Sequence, residues 1–161
     1  MMRALRLLAV AVAVIALTIV SGCSSVPADP HGTLDRVRGG VLRVGATHHP
    51  PWVEAAGISP PGGDEVDIVT AFANDNDADL EWEVGSEQSL VEALERGDLD
   101  LVIGGFTDAT PWTERAATTV PYTEATGPDG SVEKHVMLTR MGENRFLVAL
   151  ETFLMDRGRA G

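Results

Sequence analysis

The residues of this 161-residue chain best suited to chemistry lie in the stretch LVIGGFTDATPWTER, Leu101 to Arg115. An apolar run ends at Gly104-Gly105, and a hydroxyl at Thr107 and a guanidinium at Arg115 follow. Glycines let a backbone approach a ligand closely, and amides left free at a helix start attract an anion. A guanidinium is a planar, permanently charged fork that matches a carboxylate through two hydrogen bonds. The stretch is therefore expected to hold a carboxylate. The competing expectation is that Arg115 pairs with Glu114, Asp108 or another of the chain's many acids. His48-His49 near Glu54 raise the question of a metal or of acid–base catalysis. Adjacent side chains of an extended segment point to opposite sides, however, and His31 and His135 lie far along the chain. No two-histidine spacing of a metal site is present, so neither a metal nor an enzyme is expected.

The elements that must position these residues alternate. VLRVGA (Val41 to Ala46) reads as a strand, DEVDIVTAFAND as a helix and LEWEV (Leu80 to Val84) as a strand with alternating faces. SEQSLVEALERG reads as a helix capped by Ser86, with Leu90, Ala93 and Leu94 inward and Gly97 after its last turn. LDLVIGG is a continuous apolar run suited to a strand covered on both faces. Strand, helix, strand, helix, strand is the order of a parallel sheet with helices packed on it. TEATGPDGSVEK reads as a polar connection, HVMLTR as a strand and GENRFLVALETFLMDRG as a closing helix with Phe146, Leu150, Phe153 and Leu154 on one face. Trp82, between Glu81 and Glu83, is expected in the core.

The start of the chain carries a different signal. Arg3 and Arg6 lie at the head of an apolar run, Leu7 to Val20, short for a membrane span and right for a signal-peptide core. Val20-Ser21-Gly22-Cys23 follows and resembles the lipobox of bacterial lipoproteins, which implies cleavage before Cys23 and lipidation of its thiol. The alternative is an uncleaved anchor helix with an incidental cysteine. Cys23 has no partner for a disulfide, being the single cysteine. Acyl chains would fasten the protein to the outer face of a cell membrane. The expected division is residues 1–22 as leader, 23–40 as lipidated tether and 41–161 as folded lobe. Loss of Arg3 and Arg6 from the 12 basic residues sets 10 against 24 acidic ones, a formal charge of −14. So acidic a surface repels phosphate backbones, and nucleic acid is not expected as a partner.

LRVGATHHPPWV, GDEVDIVTAFA, SLVEALERGDLDLVIGGFT and TERAATTVPY, in this order, are similar to the first lobe of the extracellular solute-binding proteins of the polar amino-acid class, which serve ABC importers. The resemblance covers about Val41 to Tyr122. It implies an α/β fold of the periplasmic-binding-protein type, here a single lobe with a mainly parallel sheet flanked by helices. It also implies a small solute and an ABC permease as partners, with no cofactor. Residue by residue, it implies a ring at Trp52 lying against the ligand, an acidic helix start at Gly63, Glu65 and Asp67, and a carboxylate site at Gly105, Thr107 and Arg115. Packing of Trp52 as a plug at the domain edge is the plainer expectation for a tryptophan after Pro-Pro.

Three departures from the family qualify these expectations. Thr47 stands where amino-acid-binding members carry an aspartate for the ligand ammonium. ATPWTER holds extra residues between hydroxyl and arginine. Only 14 residues separate Pro121 from Val136, where the family crosses to a whole second lobe and returns. HVMLTRMGENRFLVALETFL looks like the family's closing strand and helix, so the second lobe is expected to be missing. One lobe covers about half of a ligand, against the ~70–90% usual for a pocket. Affinity is then expected at roughly the millimolar level, near −4 kcal/mol, unless a second copy in a homodimer or a membrane partner supplies the other wall. The rival expectation is an accessory or sensing lipoprotein that contacts a permease or receptor without delivering solute.

Overall fold

The computed structural model describes residues 28–57 and 60–160. The leader and Cys23 lie outside the described residues. The elements run α1 (Thr33–Val37), β1 (Val41–Ala46), α2 (Asp64–Asp75), β2 (Asp79–Val84), α3 (Glu87–Arg96), β3 (Leu101–Ile103), a 3₁₀ turn (Pro111–Glu114), β4 (Ala117–Thr118), β5 (Thr123–Thr126), β6 (Val132–His135), β7 (Leu138–Thr139) and α4 (Asn144–Ala160).

Five strands form one sheet in the order β2-β1-β3-β7-β4. β1 pairs parallel with β2, Val41 opposite Asp79, and with β3, Val44 opposite Leu101. β7 runs antiparallel to both β3 and β4. The sheet is thus mixed: its parallel half is the one built by the strand–helix alternation, and β7 reverses because the chain re-enters from the opposite end.

Each face has its own core. β1 sends Leu42, Val44 and Ala46 to one face, where Val66, Val69 and Phe72 of α2 meet Phe146, Leu150 and Leu154 of α4. Phe72 lies edge-on to Phe146 and Phe153, at centroid distances of 6.0 and 5.4 Å. Trp82 is half-buried against this cluster. The other face holds Leu90, Val91 and Leu94 of α3 over Val102 and Leu138. β3 is fully buried on both sides, as its unbroken apolar pattern requires. Ser86 Oγ accepts from the Ser89 amide at the start of α3, and Gly97 closes it with φ 81°. Gly45 allows α3 and the loop after it to sit close: a Cβ there would fall 3.0 Å from a Leu90 methyl and 2.8 Å from a Leu99 methyl.

Two segments differ from the sequence expectation. Residues 28–40, expected as part of a free tether, are docked on the lobe, with Leu34 and Val37 in the core. The Ala28 carbonyl accepts from the Asn144 and Arg145 amides, and buried Glu143 accepts from the His31 and Thr33 amides. Residues 23–27, the rest of the expected tether, lie outside the described residues. Residues 123–135, expected as a plain connection, pair as an antiparallel hairpin, Thr123 opposite His135 and Thr126 opposite Val132. Its turn is closed by the Gly127 amide donating to the Ser131 carbonyl.

Candidate functional site

The loops after β1 and β3 meet at the carboxyl ends of the parallel strands, where open α/β sheets collect ligands. The Thr47 amide donates to the Ile103 carbonyl at 3.0 Å and joins the two loops. His49 and Val53 then exchange backbone hydrogen bonds, which brings the chain back to α2. Gly63 precedes α2 with φ 111°, and a Cβ there would lie 2.5 Å from the Trp52 carbonyl oxygen, so only glycine allows this approach.

Glu65, one residue inside α2, is wholly buried. Its Oε2 accepts from the Gly104 amide at 2.8 Å and the Gly105 amide at 2.9 Å, and its Oε1 accepts from the Tyr122 hydroxyl at 2.6 Å. Burial pushes the Glu65 carboxyl up, against the opposing pull of these three donors. Burial, with the carboxylate beside it, also raises the Tyr122 phenol. Glu65 is therefore a strut that fixes the turn after β3, and the two glycine amides expected to face a ligand carboxylate are held by it.

Trp52 lies over His135 of β6, with ring centroids 3.9 Å apart and planes inclined by 34°. Gly105, at φ 66°, passes beneath the same indole: a Cβ there would lie 2.6 Å from Trp52 Cδ1. His135 is buried, both its ring nitrogens lack hydrogen-bond partners among the described residues although a Glu133 oxygen stands 3.9 Å from Nε2, and burial lowers its basicity. The hairpin places it there because β6 continues alongside the exit from β3. The Asp108 amide donates to the Lys134 carbonyl, and the Val136 amide to the Phe106 carbonyl, both at 2.9 Å.

Arg115 is tied to α3. Its Nε donates to Glu95 Oε1 at 3.0 Å, a second guanidinium nitrogen donates to Glu95 Oε2, and the pair is about one-third exposed. Its guanidinium carbon stands 5.8 Å from the Trp112 ring, whose Nε1 donates to Glu87 at 2.9 Å. Glu87 and Glu95 are eight residues apart, so Arg115 is held about 12 Å down α3 from the helix start at the strand tips. Of the two expectations for this arginine, the structure displays the acidic pairing, its partner being Glu95 rather than the neighbouring Glu114 or Asp108.

What remains open at the strand tips is a cleft of about 380 Å³, bordered by His49, Glu87, Gly105, Thr107, Thr110 and Glu133. The Thr110 hydroxyl is buried there without a partner among the described residues. Of the expected site residues, Gly105 and Thr107 border this cleft, whereas Trp52, Glu65 and Arg115 do not. His49, Glu87, Thr110 and Tyr122 were missed as members of the constellation. Thr110 sits inside the very stretch that drew attention, and Tyr122 closes the family-like TERAATTVPY. No group of three or more metal-ligating side chains is gathered among the described residues.

The model of the bacterial extracellular solute-binding proteins, family 3, matches residues 42–156. This chain belongs to that family. The solute-binding fold is also evident in solved structures. The arginine-bound Phe57Trp mutant of domain 1 from TmArgBP is 24% identical, with a TM-score of 0.67 over 78% of this chain and 98% of that one. An ancestral cationic amino acid solute-binding protein is 15% identical, with a TM-score of 0.68 over 80% and 95%. The L-cystine solute receptor of Neisseria gonorrhoeae, unliganded and open, is 10% identical, with a TM-score of 0.65 over 80% and 92%. No match was found among the curated proteins. At these identities the solved structures establish the periplasmic-binding-protein-like lobe, and the solutes named belong to those proteins.

Proposed function

We propose that this protein is a lipid-anchored, extracytoplasmic solute-binding protein of an ABC importer, taking a small amino-acid-like solute into the cleft at the tips of β1 and β3. The observation that carries this reading is the buried, partnerless Thr110 hydroxyl beside Thr107 in that cleft. A buried hydroxyl without a partner costs about 1–3 kcal/mol, which a solute oxygen would recover. Glu87 and Glu133 on the rim suit the ammonium end. The carboxylate end falls to the Thr107 and Thr110 hydroxyls within the cleft, since Arg115 is held by Glu95 outside it. One wall alone supports roughly millimolar affinity, and a second copy of the chain or the permease would supply the other.

A second reading is favoured by the coverage of Trp52 by His135 and of the Gly104 and Gly105 amides by Glu65. Groups of the lobe otherwise suited to a solute are satisfied internally, as in an accessory lipoprotein that touches a permease or receptor without delivering solute. Calorimetric titration of the purified full-length chain with arginine, glutamine and cystine separates the two. Saturable heat that Thr110→Val and Thr107→Val each weaken at least tenfold supports solute binding. Absence of heat up to tens of millimolar, or heat unchanged in both variants, refutes it in favour of the accessory role. Sedimentation at the same concentrations reports whether a homodimer forms on binding.

A further inference from the structure

The packing around His135 leaves its polar atoms idle. The residue is 1% exposed, and neither ring nitrogen has a hydrogen-bond partner among the described residues. A neutral imidazole offers one donor and one acceptor, and here neither is used. The surroundings suit the charged ring instead. The Trp52 indole lies 3.9 Å away between centroids, well inside the ~6 Å over which an aromatic face attracts a cation. Glu133 stands two residues back on β6, hence on the same side of the strand, with a carboxylate oxygen 3.9 Å from Nε2. The same Glu133 borders the cleft and is partly exposed to it. One carboxylate therefore stands between a buried ring and an open rim.

The other titratable groups nearby are committed or turned away. Glu65 of α2 is spent on the Gly104 and Gly105 amides and the Tyr122 hydroxyl. Asp108, after β3, is exposed. Lys134 and Glu124 oppose each other across the hairpin, one position out of step with His135 and so on its other side. His49, in the loop after β1, borders the cleft. Burial lowers the basicity of the His135 ring, Glu133 and the Gly105 backbone favour its charged form, and His49 opposes it.

We propose that His135 is a proton-operated switch on the cleft: once protonated, its ring pairs with Glu133 from behind and cancels the charge that this carboxylate offers a solute at the rim. The effect on solute rests on the reading of the cleft as a solute site. Its sign is fixed, because a cation behind the rim weakens the hold on a solute ammonium whether Glu133 moves or stays. Acid therefore releases solute, at a pH below the 6.5 ordinary for a histidine.

The first test needs no solute. Proton NMR of the full-length chain, with the His135 ring signal identified by its loss in His135→Gln, follows protonation from about pH 8 to pH 4. Glu133→Gln is expected to lower the midpoint by about one pH unit, since it removes an opposite charge within reach. Glu124→Gln, on the far side of the hairpin, leaves the midpoint in place. A ring that stays neutral throughout, or a midpoint that Glu133→Gln does not move or that Glu124→Gln moves as far, overturns the proposal. Calorimetric titration with arginine at about pH 8 and pH 5 then reads the coupling. Binding is expected to weaken about threefold or more at the lower pH in the native chain and to stay level in His135→Gln. Weakening that persists in full in His135→Gln assigns the effect to His49 and overturns the switch. No binding of arginine at either pH counts against the cleft as a solute site, and the ring titration then decides for or against the pairing of His135 with Glu133 by itself.

Discussion

Glu65→Ala tests whether the strut organises the site. The substitution removes one acceptor for three donors and strands the buried Gly104 and Gly105 amides. A buried amide left without a partner costs about 1–3 kcal/mol, so the two together cost about 2–6 kcal/mol. Relief of the buried charge returns part of this, leaving an expected loss near 3 kcal/mol out of a total of about 5–15 kcal/mol. Glu65→Gln keeps one carbonyl oxygen for the amides and is expected to lose about 1–2 kcal/mol. Urea unfolding followed by tryptophan fluorescence reads both, and at a slope of about 2 kcal/mol/M the alanine variant moves its midpoint by roughly 1.5 M. The pH dependence adds a sign. Burial raises the folded carboxyl above its ordinary 4.5, so the folded state holds the proton more tightly. The contribution of Glu65 to stability then falls as pH climbs from about 4.5 through the raised folded value, and in Glu65→Gln this slope disappears. A loss below ~1 kcal/mol in the alanine variant, or a Tyr122→Phe cost that adds in full on top of it, would refute the strut.

Other outcomes follow from the same contacts. Donors from Thr33 and His31 outweigh burial at Glu143 and hold its carboxyl at about 2. Its contribution, at most about 3 kcal/mol and partly offset by the raised carboxyl of Asp29, is present above pH 4.5 and lost as pH falls toward 2. Urea midpoints measured from pH 2 to 7 should show that slope in the native chain and not in Glu143→Gln. Gly105→Ala, with φ 66° and a Cβ aimed at Trp52, should lose about 1–3 kcal/mol by thermal melting. Arg115→Ala should leave the thermal midpoint close to native, because its pair with Glu95 is exposed, and should leave any solute bound in the cleft in place, because Arg115 does not border it.

The parallel half of the lobe was legible because its residues repeat with the period of their element: Leu90, Ala93 and Leu94 mark α3, and Leu101 to Ile103 mark a strand buried on both faces. Caps at Ser86 and Gly97 were readable for the same local reason. The hairpin escaped because Thr123–Thr126 and Val132–His135 are short, polar and largely exposed, so no hydrophobic alternation marks them. The docking of residues 28–37 depends on Glu143, more than a hundred positions away, and no local pattern announces it. The partners of the candidate residues were illegible for a related reason. Nothing in the sequence tells Arg115 to choose Glu95, Glu65 to choose two glycine amides, or His135 to settle on Trp52. Those choices are made by tertiary packing, and they decide which groups are left to greet a solute.

The hairpin has a consequence for engineering and for descent. Its strands leave the lobe and return side by side, Thr126 opposite Val132, so the tip at Gly127–Gly130 is a gap that a guest domain with neighbouring termini could fill without disturbing the sheet. A reporter or a borrowed second half spliced there would meet the host at one point, much as a lid is hung on a pair of pins. The chain is in that sense a chassis with its coupling already built.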